Sequence, residues 1–365
     1  MPVNLRIPGP TPVPEDILQA GAKPMTNHRG VEFREMLQSI NRRLQTVFQT
    51  KNDILMFTCS GTGGLEAAVS NVLSPGDKVL AVSIGAFGDR LTQIAEVFGA
   101  NVIKMQVPWG KPADPDAIGK ALDADHAIKA VLVTHNETST GVTNDLQTIA
   151  KTVKSRGRLI IVDAVSSLGC VPLPVDAWQC DVVVSASQKG YMVPPGLAFV
   201  SVSQQAWDAS KVARMPRFYF DFQKAKQAFQ RGETPWTPAL SLFFAMDLAL
   251  DKMLRDGMET IYTRHAAIGS YTRKQVKALG LSLFCSDERY ASNTITAVNA
   301  PPGLDVGKLL DTLRVEDNVV LAEGQAALMG KIFRIGHLGY VTEKDIAEAL
   351  ASLKRVLNKM GAPVA

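Results

Sequence analysis

Two segments decide the fold: Leu159-Ile160-Ile161-Val162-Asp163, and Asp181-Val182-Val183-Val184-Ser185-Ala186-Ser187-Gln188-Lys189. Each begins with a near-continuous run of branched apolar residues and delivers a single charged residue at its end. A strand with one wet face would alternate apolar and polar residues. Unbroken runs instead read as strands covered on both faces, the habit of parallel sheets. Working outward, further short apolar runs at 54–58, 78–82, 101–107, 130–134 and 197–202 alternate with helical patterns at 65–73, 86–98, 114–122 and 146–155. That order predicts a three-layer α/β architecture around a mainly parallel sheet. After Pro238 the texture changes. Long amphipathic patterns at 240–255 and 258–279 lead into short strand candidates at 281–285, 294–298, 319–321 and 332–335, with helices at 308–313 and 343–357. The expected organisation is an N-terminal arm over 1–18, a large α/β domain over 19–255 and a smaller α+β domain over 256–365.

Composition excludes several classes. The chain has 365 residues, 46% hydrophobic and 20% charged, which suits a globular protein with more than one core. Its 39 Lys+Arg against 35 Asp+Glu give +4, without a dense basic cluster, so no nucleic-acid surface is expected. The longest uncharged stretch, 190–207, is broken by Pro194-Pro195 and carries Gln204 and Gln205, so no membrane span is expected. No secretory signal pattern opens the sequence, and the 4 cysteines and 5 histidines lack metal-ligand spacing. The expectation is a cytoplasmic protein with reduced thiols, no metal and a small-molecule ligand.

Three motifs carry chemistry. Ser60-Gly61-Thr62-Gly63-Gly64 lies between a strand and a helix, where backbone N–H groups can cradle an anion. It completes neither a dinucleotide fingerprint nor a Walker loop, which leaves a site for a single phosphate. Asp163 and Lys189 each sit at the C-terminal end of a buried strand, the edge where open α/β sheets bind ligands. Singly, these are also a capped turn, a helix-capping acid and a surface charge. Together they are the three anchors of pyridoxal phosphate: for its phosphate, its ring nitrogen and its aldehyde.

With Thr134-His135-Asn136-Glu137-Thr138-Ser139-Thr140-Gly141 and Phe333-Arg334-Ile335-Gly336 added, the chain resembles the class V aminotransferases, most closely the alanine–glyoxylate and serine–pyruvate group. The resemblance implies a fold type I pyridoxal 5′-phosphate-dependent transferase, with Lys189 binding the cofactor covalently and moving protons, and Asp163 on the ring nitrogen. It further implies Thr62, Gly63 and Gln188 at the phosphate, Thr138 at the ring edge, and Val165 and Phe87 on the two ring faces. Arg334 would bind the substrate carboxylate beneath Gly9 of the N-terminal arm. The implied reaction is ping-pong transfer of an amino group from alanine or serine to glyoxylate or pyruvate, in a homodimer with sites at the interface.

Departures from the family pattern leave the donor open, with aspartate or a specialised amine as alternatives. Phe87 stands where a tryptophan is common, Gly64 where a larger residue is common, and the segment 233–238 lacks a tyrosine that some relatives send to the neighbouring subunit's phosphate. Thr237, or Thr234, is the candidate replacement. His28 and Arg29 read as a solvated pair before a helix over 31–48. A cysteine desulfurase is the other enzymatic reading, but Gln188 rather than histidine precedes the lysine, and Cys285 ends an apolar run. A redox-associated, non-catalytic subunit would call for clustered cysteines and histidines, and the sequence has none.

Overall fold

The computed structural model describes residues 3–362. Its seven-stranded sheet runs Ile54–Thr58, Leu197–Val202, Val182–Ala186, Leu159–Asp163, Ile128–Thr134, Lys78–Ser83, Asn101–Gln106. Leu197–Val202 is antiparallel to both neighbours and the remaining pairs are parallel. Alternation along each strand divides the apolar runs between two cores. Val131, Val133, Ile160, Val162 and Val183 face the helices Val31–Phe48 and Leu240–Asp256, whereas Leu132, Ile161, Val182 and Val184 face Gly61–Val72 and Ala86–Val97. The mainly parallel, doubly covered sheet is therefore as expected.

The helix Gly61–Val72 lies so close to the sheet that a Cβ on Gly64 would come within 2.7 Å of Val184 Cγ1 and 3.0 Å of Ala198 Cβ. Packing on the sheet, away from the ligand edge, explains the small residue there.

Beyond Gly257, whose φ of 83° separates two helices, Met258–Ala278 runs from one core to another. Ile261 belongs with the large-sheet core, and Ile268 and Val276 with the smaller one. That second core covers a three-stranded antiparallel sheet, Ile295–Asn299, Ile332–Gly336 and Ala322–Glu323, with helices Val306–Asp317 and Glu343–Lys359. Two of the expected strands differ. The 281–285 run makes only a bridge from Leu283 to Val298, because the following backbone turns to the large unit, where Ser286 N donates to Gly110 O at 3.0 Å. Val319–Val320 pairs in parallel with Asn4–Leu5 of the arm. Three helices lie outside the sequence expectation: Glu15–Gly21, Gln204–Val212 and Phe222–Gln230. The last two carry local signals, with Ser203 and Asp221 accepting N-cap hydrogen bonds.

The arm crosses both units. Arg6 O accepts from Gly336 N at 2.7 Å, and Thr11 N donates to Gln188 O at 3.1 Å. A Cβ at Gly336 would fall 2.1 Å from Ile7 O, so only glycine admits the arm.

Gly64→Val should lower the unfolding free energy by about 1–3 kcal/mol through overpacking, read by denaturant titration. Val97→Ala at an exposed helical position should change it by less than about 0.5 kcal/mol. Equal effects would mean that the helix does not depend on its close approach to the sheet.

Candidate active site

At the C-terminal ends of the parallel strands lies a cavity of about 320 Å³, at the lower end of the range for small-ligand sites. Gly9, Thr62, Phe87, Thr138, Asp163, Val165, Gln188 and Lys189 all line it. Eight of the residues singled out in the sequence thus share one wall, while Gly63, Thr237 and Arg334 are not part of its lining.

Lys189 follows the buried strand Val182–Ala186 and is 9% exposed. Burial pushes its amine down to about 8; Asp163 opposes the shift, and the Arg334 cation adds to it. Its Nζ donates to Pro8 O. A Cβ on Gly9 would sit 2.5 Å from that Nζ, and the Gly9 φ of 128° also requires glycine. Asp163 closes the adjacent strand, opposite Val184 in register. Burial raises its carboxyl to about 6, partly offset by the Val165 N–H, which donates to Oδ1 at 2.9 Å. At neutral pH the two groups remain mainly ionised and opposite in charge.

The helix Gly61–Val72 begins at this wall. Ser60 precedes it in an extended conformation and gives no side-chain cap, so the N–H groups of the first turn stay available to an anion. Thr62 lines the cavity. A side chain at Gly63 would meet Cys59 and Phe220, so its contribution is limited to backbone. Gln188 Oε1 is buried without a hydrogen-bond partner among the described residues.

Residues that sequence reasoning passed over hold this wall in place. Glu137 is wholly buried and accepts from Phe87 N at 3.2 Å, Gly88 N at 3.0 Å, Ser139 N at 3.0 Å and Ser139 Oγ at 2.6 Å. Burial raises its carboxyl, and these donors pull it back. It therefore anchors Phe87, at the start of Ala86–Val97, to the Thr138 loop. Arg90 also lines the cavity, with its guanidinium 4.7 Å from the Phe87 ring centroid. Asn136 Nδ2 reaches Ser166 Oγ at 2.8 Å and Thr294 Oγ1 at 3.0 Å, joining the two units. A polar run directly after a buried strand was the available signal for Asn136 and Glu137.

Arg334 lies on Ile332–Gly336 and is 5% exposed. Its Nε and Nη2 donate to Glu323 O at 2.9 and 2.7 Å, and its Nη1 donates to Thr138 O at 3.1 Å and Gln325 Oε1 at 3.2 Å. Burial lowers it to about 10, which leaves it cationic at neutral pH. Arg334 stands behind Gln325, which itself lines the cavity.

Thr237 is exposed and does not line the cavity of its own chain, and Thr234 Oγ1 is used by Trp236 O at 2.7 Å. Arg29 pairs with Glu233 at 3.6 Å, away from the cavity. Cys285 lies outside the cavity lining; its Sγ donates to Asp287 O, and burial raises the thiol, which does not favour a reactive cysteine. Among the described residues no three His, Cys, Asp or Glu side chains converge to hold a metal ion, and no helix is long and apolar enough to cross a membrane.

Among curated proteins, the chain is 48% identical over 98% of its length, and 94% of the relative's, to a protein named soluble hydrogenase 42 kDa subunit from Anabaena cylindrica. It is 38% identical, over 99% of its length and 92% of the relative's, to a serine–glyoxylate aminotransferase of Methylorubrum extorquens. Among solved structures, a pyridoxamine–pyruvate aminotransferase from Mesorhizobium loti superposes with a TM-score of 0.96 at 30% identity, covering 100% of this chain and 94% of that one. The family model described as aminotransferase class-V matches residues 5–348. With that match running from the N-terminal arm to the last helix, the chain belongs to the class-V aminotransferases and is an aminotransferase of fold type I.

Proposed function

We propose that the chain uses pyridoxal 5′-phosphate to move an amino group from a small L-amino acid, alanine or serine, to glyoxylate or pyruvate in two alternating half-reactions. The observation that carries this reading is the meeting, in one cavity, of a buried amine, a buried carboxylate at the neighbouring strand end and an uncapped helix N-terminus. The names of several relatives support the acceptor: they pair serine or aspartate with glyoxylate, so the acceptor recurs while the donor varies. Aspartate is therefore the alternative donor.

The residues present fit the cofactor, since the uncapped first turn of Gly61–Val72 offers N–H donors to a phosphate and the buried Lys189 amine and Asp163 carboxylate share one cavity with it. When bound, that group supplies a carbonyl that condenses with amines and a ring that accepts electrons. Lys189 Nζ would hold it. The same Nζ, when released by the incoming amine, would move the proton between the donor's Cα and the group's C4′ carbon, in one direction in the first half-reaction and in the other in the second. Asp163 would pair with the ring nitrogen, because an ionised carboxylate in a buried site favours a cation beside it. Thr62, the Gly63 N–H and Gln188 would take the phosphate, Val165 and Phe87 the ring faces, and Thr138 the ring edge. Arg334 would orient the substrate carboxylate, since a guanidinium fork matches a planar carboxylate.

We also infer a cytoplasmic homodimer. Four unpaired thiols are consistent with a reducing compartment. Phe218, 68% exposed, stacks on Trp236 with centroids 5.1 Å apart, an aromatic patch beside Thr237 that suits burial by a second copy and would carry Thr237 toward the partner's phosphate site. Light scattering should give twice the 39.4 kDa chain mass, with Trp236→Ala shifting the species toward the monomer. A monomeric wild-type protein overturns the dimer.

Borohydride reduction of the loaded enzyme followed by peptide mass spectrometry should place the added pyridoxyl mass on Lys189. Mass on another lysine, or on none, sinks the assignment. Because the neutral amine is the nucleophile, uptake of pyridoxal phosphate by the apoprotein should rise with pH and level off above about 8 rather than near the ordinary lysine value of 10.5. Stopped-flow absorbance reads this, and a rate still climbing well above about pH 9 contradicts a desolvated lysine.

A further inference from the structure

Arg334 has five N–H groups, and the structure accounts for four of them. The Nε–H and one Nη2–H go to Glu323 O, and the two on Nη1 go to Thr138 O and Gln325 Oε1. One N–H, on Nη2, is left. A planar carboxylate pairs with two parallel N–H groups, so the guanidinium as it stands cannot receive a substrate in that way until one acceptor leaves. Three of the four existing bonds end on backbone carbonyls. Glu323 lies in the strand paired to Ile332–Gly336, and Thr138 follows Glu137, whose carboxylate is clamped by the Phe87, Gly88 and Ser139 donors. These acceptors are fixed by the fold. The fourth is the end of a flexible side chain, half-buried, on the cavity wall, and followed by exposed Ala326 and Ala327. Among the described residues, the hydrogen bond that ties the Gln325 side chain down is the one its Oε1 accepts from Arg334.

We infer that Gln325 is a displaceable stand-in for the substrate carboxylate. Its carboxamide oxygen accepts from Nη1, keeps the buried cation's donor satisfied, and swings away when a carboxylate arrives. No bond is made or broken beyond the exchange of hydrogen bonds. A neutral amide has the right strength for this exchange. It answers the N–H well enough to hold Arg334 in place and gives way to an anion, whose hydrogen bond to the same cation is the stronger. Gln325 would thereby set how tightly short carboxylates bind, without taking part in proton transfer.

The inference rests on Arg334 being the substrate's carboxylate site, and the test separates the two. In the loaded enzyme, the dissociation constant for propionate, a carboxylate that cannot react, is measured by calorimetry. Gln325→Ala, which removes the competitor, should tighten binding by about two- to tenfold, the worth of one neutral hydrogen bond. Gln325→Glu, which places a fixed carboxylate on the fork, should weaken it by at least about tenfold. A dissociation constant for Gln325→Ala equal to or above wild type, or an unchanged one for Gln325→Glu, overturns the stand-in. Arg334→Lys is the control arm because it keeps the charge and loses the fork. If it leaves propionate binding unchanged, the carboxylate site itself is wrongly placed. If it weakens binding while both Gln325 variants bind as wild type, only the stand-in fails.

Discussion

An amine held nine-tenths out of water is costly to keep charged unless its surroundings respond, and Lys189 is met from several sides. Pro8 O takes a hydrogen bond from Nζ, Asp163 supplies opposite charge from the next strand, and burial does the rest by bringing the amine down to about 8. Asp163 in turn is raised to about 6 by the same dry surroundings. The two groups are displaced toward each other from opposite ends of the pH scale, which keeps either of them a short step from changing its protonation state. A surface lysine facing water would have no such proximity to neutrality.

The second constraint is connection between the two units. Glu137 fixes Phe87 by its backbone, Thr138 passes its carbonyl to Arg334, and Asn136 reaches Thr294. Three consecutive residues thus tie the large sheet's edge to an aromatic face, to a guanidinium and to the smaller unit. Glu137 can do this while buried because four donors converge on it. A substitution there would be felt on both sides of the cavity, even though the Glu137 side chain is not part of the lining.

The large sheet was legible because its strands are apolar on both faces, as in Val182–Ala186, and because they end on residues that have no reason to be apolar. Asp163, Lys189, Thr62, Phe87 and Thr138, far apart in sequence, come together on one cavity wall. The 281–285 run illustrates the limit: its apolar pattern is that of a strand, but Gly110 from a distant loop takes the backbone bond that would have continued the pairing. Glu137 and Gln325 escape sequence reading for a related reason. A carboxylate clamped by four donors and an amide resting on a cation look the same in sequence as any Glu or Gln, and only the partners brought by tertiary structure distinguish them. Thr237 is placed by analogy with a residue that reaches across to a second subunit, and within its own chain it faces solvent.

The crossing of the arm also bears on how the protein is made. Asn4 and Leu5 pair with Val319 and Val320, and Arg6 accepts from Gly336, so the arm leaves the ribosome well before these partners do. Through much of synthesis the arm that carries the Pro8 carbonyl has its Thr11 contact to Gln188 within reach but not its partners in the smaller unit. The large sheet can assemble as its strands appear, whereas the roof over the lysine waits for the strands of the smaller unit. Nascent chains that stall before the smaller sheet is complete would carry a reactive amine in a partly roofed groove, and the finished fold closes it by joining two stretches of the polypeptide that lie far apart in sequence.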